Sequence, residues 1–344
     1  MSDENWMKRA FELAALGKAT CSPNPMVGCV IVHNDKIIGE GWHKKAGEPH
    51  AEVNAIQRVE DKTLLRESSL YVTLEPCSHH GKTPPCAHLI VEMGIPRVVI
   101  SNTDPNPQVS GKGIAFLRKN GIEVCTSVLP ELGEELNRFF FHFHRKHRPY
   151  IILKWAQSSD GFMDGIRSNN ERHSIPISGT LAHVLSHKWR SEVDAILVGA
   201  QTAFTDLPSL NTRLWEGKSP TRLLIDPNQR IDEGPLTDGS IRTVRFSSKK
   251  NSSNSPFEEV YCPQADIWDA IIKFAAENLW LSILIEGGAN TLNRLLDKGL
   301  FDEIRVFSSS VKQKDGLTAP RLNIESDFSE TIGSDTLNYY FNKK

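Results

Sequence analysis

Apolar positions recur at helical spacing through Trp6, Met7, Ala10, Phe11, Ala14 and Ala15, which predicts an amphipathic helix near the start of the chain. A short run rich in β-branched residues at 27–32 predicts a strand, and residues 36–39 supply a hairpin partner. Pro49 suits the first turn of a helix carrying His50 and Glu52. Residues 70–74 read as a strand running into Glu75-Pro76-Cys77, where another helix is expected to begin. A strand at 98–101, a helix at 111–120 and a strand at 122–126 continue the alternation, which argues for an α/β sandwich. Around residues 139–148 the chain turns to phenylalanine, histidine and cationic side chains before Pro149. A histidine metal cluster fits that stretch, but the cationic C-terminal end of a helix at a domain junction fits better.

A second alternating series follows. Strands are expected at 150–155, 195–198, 222–225 and 281–285, and helices at 180–190, 268–278 and 291–298. Residues 234–256, rich in serine, asparagine and charge, are expected to form a mobile surface excursion. The two series and the length of 344 residues imply two domains, placed at 1–147 and 148–344. The fold class is therefore α/β, with two three-layer α/β domains.

Composition narrows the function. A formal net charge of −2 provides no global field for nucleic acid or an anionic membrane. No stretch is long and apolar enough to span a bilayer, and Asp3 and Glu4 with no apolar run behind them do not make a secretory signal. The protein is expected to be cytoplasmic. Cys21, Cys29, Cys125 and Cys262 are too dispersed for a disulfide framework and read as buried thiols.

The remaining cysteines carry chemistry. His50-Ala51-Glu52, Glu75-Pro76-Cys77 and Cys86 supply one imidazole and two thiolates, a ligand set suited to zinc that leaves a fourth position for water. Glu52 is then free to carry a proton, as in the zinc deaminases with their H-x-E and P-C-x-x-C pattern. One departure stands out: eight residues, not two, separate Cys77 from Cys86. They read as a polar loop over the metal, with His79, Lys82 and Thr83 able to touch an anionic substrate. A closed structural zinc knuckle is the competing reading, and the retained Glu52 argues against it. In the second half, Glu286-Gly287-Gly288 leads from a strand into a helix, which suits either phosphate binding or an ordinary tight turn. No G-x-G-x-x-G fingerprint is present. Arg190 and Arg213 are suited to phosphate, or to surface ion pairs.

Ser22-Pro23-Asn24-Pro25-Met26-Val27-Gly28, Gly41-Trp42-His43, the two zinc half-motifs and Asp104-Pro105-Asn106-Pro107 together resemble the RibD family of bifunctional riboflavin-biosynthesis deaminase–reductases. Lys154-Trp155-Ala156-Gln157-Ser158-Ser159-Asp160-Gly161, residues 202–213 and Glu286-Gly287-Gly288 extend the resemblance over the second half. The resemblance implies a cytidine-deaminase-like domain followed by a dihydrofolate-reductase-like domain, with Zn2+ and NADPH as cofactors. It implies hydrolytic deamination of diaminohydroxyphosphoribosylaminopyrimidine, then reduction of the ribosyl chain of 5-amino-6-(5-phosphoribosylamino)uracil to ribityl. His50, Cys77 and Cys86 would hold zinc, Glu52 would act in catalysis, and Asn24, His43, His79 and Lys82 would hold the first substrate. Ala156, Pro176, Thr202, Asp206 and Pro227 would lie along NADPH, with Gly288, Ala289, Asn290, Thr291, Leu292, Asn293 and Arg294. Ser174, Arg190, Leu210, Arg213 and Glu286 would contact the sugar phosphate. A small phosphorylated pyrimidine is the implied partner, with no nucleic acid and no membrane, in a homo-oligomer (dimer or tetramer). The second half departs from the family pattern at Leu207, where a second aspartate is common, and at Pro176, Pro227 and Gln201. In the first half His88 replaces a common acidic residue. A deaminase with an inactive second domain is the alternative that these departures suggest. A nucleic-acid deaminase would need a basic channel that the near-neutral charge does not supply.

Overall fold

The computed structural model describes residues 2–78, 84–107, 109–167, 172–173, 175–250 and 255–343. His79, Lys82, Thr83 and Ser174 lie outside them. The chain divides into two compact units, Met1–His147 and Arg148–Lys344.

The first unit opens with α1 (Asp3–Ala15) and the hairpin of β1 (Gly28–His33) and β2 (Lys36–Trp42). Asn34 and Asp35, both at positive φ, form the two-residue turn, a conformation these two residue types tolerate. Then come α2 (Ala51–Arg58), β3 (Ser69–Leu74), α3 (Cys86–Glu92), β4 (Arg97–Asn102), α4 (Lys112–Lys119) and β5 (Glu123–Cys125). Two helices, α5 (Pro130–Leu136) and α6 (Arg138–Lys146), close the unit. The sheet order is β2-β1-β3-β4-β5, antiparallel across the hairpin and between β1 and β3, parallel from β3 to β5.

Strand periodicity makes three layers of it. Cys29 and Ile31 of β1 face a core shared with Ala55, Ile90 and Leu117 of α2, α3 and α4. Val30 and Val32 face the opposite core, with Met7, Ala10 and Phe11 of α1. α2 lies close on β2: a Cβ added at Gly41 would sit 2.4 Å from both Ala51 O and Ala55 N.

Two local expectations are corrected. The helix after β3 starts at Cys86, not at Cys77, and Pro85 at its N-cap is extended (φ −63°, ψ 141°). Pro84 and Pro85 supply no N–H and disfavour helix before them, so the helix begins only beyond them. Pro49 lies outside α2, because His50 is the N-cap in extended conformation.

The second unit contains β6 (Tyr150–Gln157), β7 (Phe162–Gly165), α7 (Thr180–Glu192), β8 (Ala195–Gly199), α8 (Ala200–Asp206), β9 (Thr221–Ile225), β10 (Thr243–Ser247) and β11 (Glu258–Tyr261). It continues through α9 (Ile267–Glu277), β12 (Ser282–Ile285), α10 (Ala289–Lys298), β13 (Glu303–Ser308), β14 (Gly316–Thr318), β15 (Phe328–Ile332) and β16 (Asp335–Phe341). Nine strands form one sheet in the order β11-β10-β9-β8-β12-β6-β13-β16-β15, and β14 pairs with β7 apart from it. From β11 to β13 the neighbours are parallel; β16 and β15 join antiparallel. Ile151, Leu153 and Trp155 of β6 pack with Ile271 of α9 and Leu292 and Leu295 of α10. On the other face Trp189 of α7 stacks on Phe307 of β13 at 5.4 Å. No helix among the described residues is long and apolar enough to cross a membrane.

The expected surface excursion at 234–256 is also corrected, because it contains β10, buried along its whole length. The one charge on β10 is not solvated: Arg245 pairs with Glu259 of β11 at 2.6 Å, each side chain 2% exposed.

Candidate functional site

In the first unit, two helix beginnings meet. His50 caps α2, Cys86 is the first residue of α3, and Cys77 lies on the segment leaving β3. Cys77 Sγ and Cys86 Sγ lie 3.6 Å and 3.4 Å from His50 Nδ1. The three ligand atoms all lie within 4.8 Å of one another, and they form the one such His/Cys/Asp/Glu group found among the described residues. Cys86 N–H donates to Cys77 Sγ at 3.3 Å, a contact suited to a thiolate. One nitrogen and two sulfurs at this separation fit a tetrahedral zinc ion. The Cys77 thiol is held below the ordinary thiol value by its hydrogen bond with Cys86, against burial, while Cys86 is driven up by the same partner.

Glu52 follows from the first turn of α2 and is buried (3% exposed). Burial pushes its carboxyl up to about 7, a value suited to taking and returning a proton near neutrality. His43 is also buried, and its ring lies edge-on to His50 with centroids 5.4 Å apart. Its Nδ1 lies 3.2 Å from Pro49 O and its Nε2 3.1 Å from Asn24 Nδ2. The partners set the tautomer: Nδ1–H donates to the carbonyl and Nε2 accepts from the amide. Burial lowers the His43 pKa and favours the neutral ring that this arrangement requires. The structure thus brings His50, Cys77, Cys86, Glu52, His43 and Asn24 together.

In the second unit a cavity of about 560 Å³ opens where β8, β9 and β12 end. Thr202, Asp206, Pro227 and Glu286 line it, as do Gly288, Ala289, Asn290, Thr291 and Arg294 at the start of α10. Gly288 is the α10 N-cap, so the free amides of that helix begin at the cavity wall. Ala156, Pro176 and Asn293 do not line the cavity. The Leu292 side chain is buried in the hydrophobic core, as its place on the buried face of α10 requires.

Glu286 joins the cavity to a cluster of cations. Arg190 donates to both its oxygens, at 3.0 and 2.7 Å, and Lys154 Nζ lies 3.8 Å away. Arg190 also donates to Asn211 O at 3.2 Å, tying down the loop that carries Leu210 and Arg213. Leu210 is buried at φ +50°, a left-handed conformation unusual for leucine, so this loop is held in shape by its surroundings. His183 and His187 of α7 lie in the same field; burial lowers both, and Arg190 and Arg213 lower them further. The Asp206 carboxylate is bonded by Arg167 at 2.5 Å, and Arg167 also pairs with Asp164 at 2.8 Å.

Sequence reasoning missed Lys154, Arg167, His183 and His187. A signal existed for three of them. Lys154 is a lone charge in an otherwise apolar strand, and buried charges have partners. His183, His187 and Arg190 recur on one face of a helix. Arg167 carried none, because its partner Asp206 is far along the chain.

Residues 1–102 match the family described as the cytidine and deoxycytidylate deaminase zinc-binding region, and residues 149–311 match the RibD C-terminal domain. The riboflavin biosynthesis protein RibD of Aquifex aeolicus is 39% identical over 331 residues, covering 94% of this chain and 91% of that protein. The chain belongs to the RibD family. Escherichia coli RibD is 34% identical over 330 residues, 89% of this chain and 87% of its own. A Thermotoga maritima crystal structure, described as a diaminohydroxyphosphoribosylaminopyrimidine deaminase/5-amino-6-(5-phosphoribosylamino)uracil reductase, aligns with a TM-score of 0.89 at 35% identity, covering 98% of this chain and 97% of that one. Acinetobacter baumannii RibD also aligns at 0.89, with 30% identity over 99% of both chains. As a member of that family, the chain is a bifunctional enzyme of riboflavin biosynthesis with a deaminase and a reductase activity.

Proposed function

We propose that residues 1–147 deaminate diaminohydroxyphosphoribosylaminopyrimidine and that residues 148–344 reduce the ribosyl chain of the resulting uracil to ribityl with NADPH. The observation that carries the reading is the meeting of His50, Cys77 and Cys86 beside a buried Glu52.

His50, Cys77 and Cys86 would hold zinc, which when bound would supply the Lewis acidity that makes water nucleophilic near neutral pH. Glu52 takes a proton as water adds to the ring carbon, and returns it to the amino group, which leaves as ammonia. Neutral His43 fixes the Asn24 amide, and together they orient the pyrimidine. By the family pattern His79 and Lys82, which lie between Cys77 and Cys86 in the sequence, would complete the substrate contacts.

NADPH, when bound in the cavity, supplies hydride. Thr202, Asp206 and the α10 amides, which line the cavity, would hold it, with the Asp206 carboxylate fixed by Arg167. Lys154, Arg190 and Arg213 outnumber Glu286, leaving a positive excess suited to the sugar phosphate, with Ser174 and Leu210 beside it by the family pattern. Cytoplasmic location and a homo-oligomeric state belong to the same proposal and rest on the family resemblance.

The test supplies purified protein with the diaminopyrimidine substrate and NADPH, and records ammonia and NADPH oxidation separately. Both signals in succession are expected. Ammonia alone would favour the deaminase-only reading and give weight to the departures at Pro176, Leu207 and Pro227. Neither signal from folded, zinc-loaded protein would overturn the proposal.

A further inference from the structure

Glu75 is a buried carboxylate (4% exposed) that takes no part in the chemistry described above. It follows the last residue of β3 and stands two positions before Cys77. Main-chain donors surround it. Oε2 accepts from Gly111 N at 2.9 Å and Asp104 N at 3.3 Å, and Oε1 accepts from Gly113 N at 2.9 Å and Ile114 N at 3.2 Å. Three of these amides open α4, whose N-cap Gly111 sits at φ +73° with no side chain to cap them. A helix start needs an acceptor there, and a carboxylate also meets the positive end of the helix dipole. Here the acceptor comes from the end of β3 instead of from the N-cap residue.

The packing between them leaves little slack. A Cβ on Gly113 would lie 2.0 Å from Pro76 O, so α4 presses directly on the peptide that precedes Cys77. On its other side, Cys77 is tied to α3: its carbonyl accepts Ala87 N–H at 3.1 Å and its Sγ accepts Cys86 N–H at 3.3 Å.

We propose that Glu75 is a positioning residue for the metal centre, capping α4 so that Pro76-Cys77 is clamped between α3 and α4 with Cys77 Sγ set against His50 and Cys86. The inference rests on reading those three residues as the metal ligands. A glutamine in its place is a poor substitute, because its amide nitrogen is a donor facing N–H groups that need an acceptor.

The test compares the full-length protein with Glu75→Gln by zinc competition against a chromophoric chelator, by the ligand-field spectrum of the Co2+-loaded forms, and by ammonia release. The variant is expected to bind zinc about tenfold more weakly, the scale on which supporting residues act on metal sites, and to show an altered cobalt spectrum. Its deamination should fall at limiting zinc and return with excess zinc, with KM for the pyrimidine unchanged. Equal zinc affinity and an unaltered cobalt spectrum would overturn the proposal, even if the melting temperature fell. Should the glutamine variant not fold, Glu75→Asp, acceptor-only but one methylene shorter, is read by the same two outcomes. Failure of the unaltered protein to bind zinc would refute the ligand assignment instead.

Discussion

Replacing Glu286 by glutamine removes the one carboxylate that Arg190 and Lys154 share, and the structure sets the size of the effect. All three side chains are nearly buried, between 11% and 13% exposed, with N···O distances of 2.7 Å to Arg190 and 3.8 Å to Lys154. At an effective dielectric of about 20 these contacts attract by roughly 6 and 4 kcal/mol, and desolvation of the charges offsets much of that. Burial by itself would raise the Glu286 carboxyl, but Arg190 and Lys154 outweigh it and hold it at about 2. Measured from an ordinary glutamate near 4.3, that depression corresponds to about 3 kcal/mol, at the low end of the range for breaking a buried ion pair. Glu286→Gln should therefore destabilise the second unit by about 3 kcal/mol at neutral pH. The sign of the pH dependence follows from a folded-state pKa that is depressed. The stabilisation is complete above the unfolded value and disappears as pH falls towards 2, so about half of the gap should be gone by pH 3. Urea melts followed by tryptophan fluorescence suit the measurement, because Trp155, Trp189, Trp215, Trp268 and Trp280 lie in this unit and only Trp6 and Trp42 in the other. A gap below about 1 kcal/mol at neutral pH, or one that stays constant into acid, would refute the reasoning.

The other expectations concern the first unit. Glu52→Gln should keep its zinc, measured by metal analysis, and lose about 10²- to 10⁴-fold in the rate of ammonia release; loss of the metal would make Glu52 a structural support instead. Gly41→Ala should cost about 1–3 kcal/mol and weaken zinc binding, because its new Cβ meets Ala51 O and Ala55 N at 2.4 Å and pushes away the helix that His50 caps. Wild-type stability and zinc affinity in that variant would show that α2 can shift without cost. Chelation of zinc should stop ammonia release but leave NADPH oxidation with the deaminated substrate unchanged; parallel loss of both would contradict separate centres.

Much of this was legible in the chain because the signals are local. The apolar spacing of α1, the hairpin of residues 27–32 with 36–39, and the H-A-E and P-C motifs each depend on residues within a few positions of one another. The last strands, β13 to β16, were not read. β15 and β16 alternate too weakly, with much of their surface exposed at the end of the sheet, for periodicity to separate them from loop. β10 was read as loop for the opposite reason: its polar composition implied solvent, whereas the arginine has a buried partner on β11.

The sequence alone determined the donor chemistry, one imidazole, two thiols and a carboxylate, and the alternation of strands and helices that sets the fold class. Tertiary structure decided which of those donors meet. His50 and Cys86 lie 36 positions apart and become neighbours only because α2 and α3 pack on the same face of one sheet. Arg190 and Glu286 are 96 positions apart, and β8 and β12 must pair before that ion pair can form. Glu75 reads as an ordinary polar residue until α4 brings its uncapped amides against it. Periodicity and turn chemistry act over a few residues, whereas charge pairing and capping act through space, so burial and partnership were settled only when the sheets assembled.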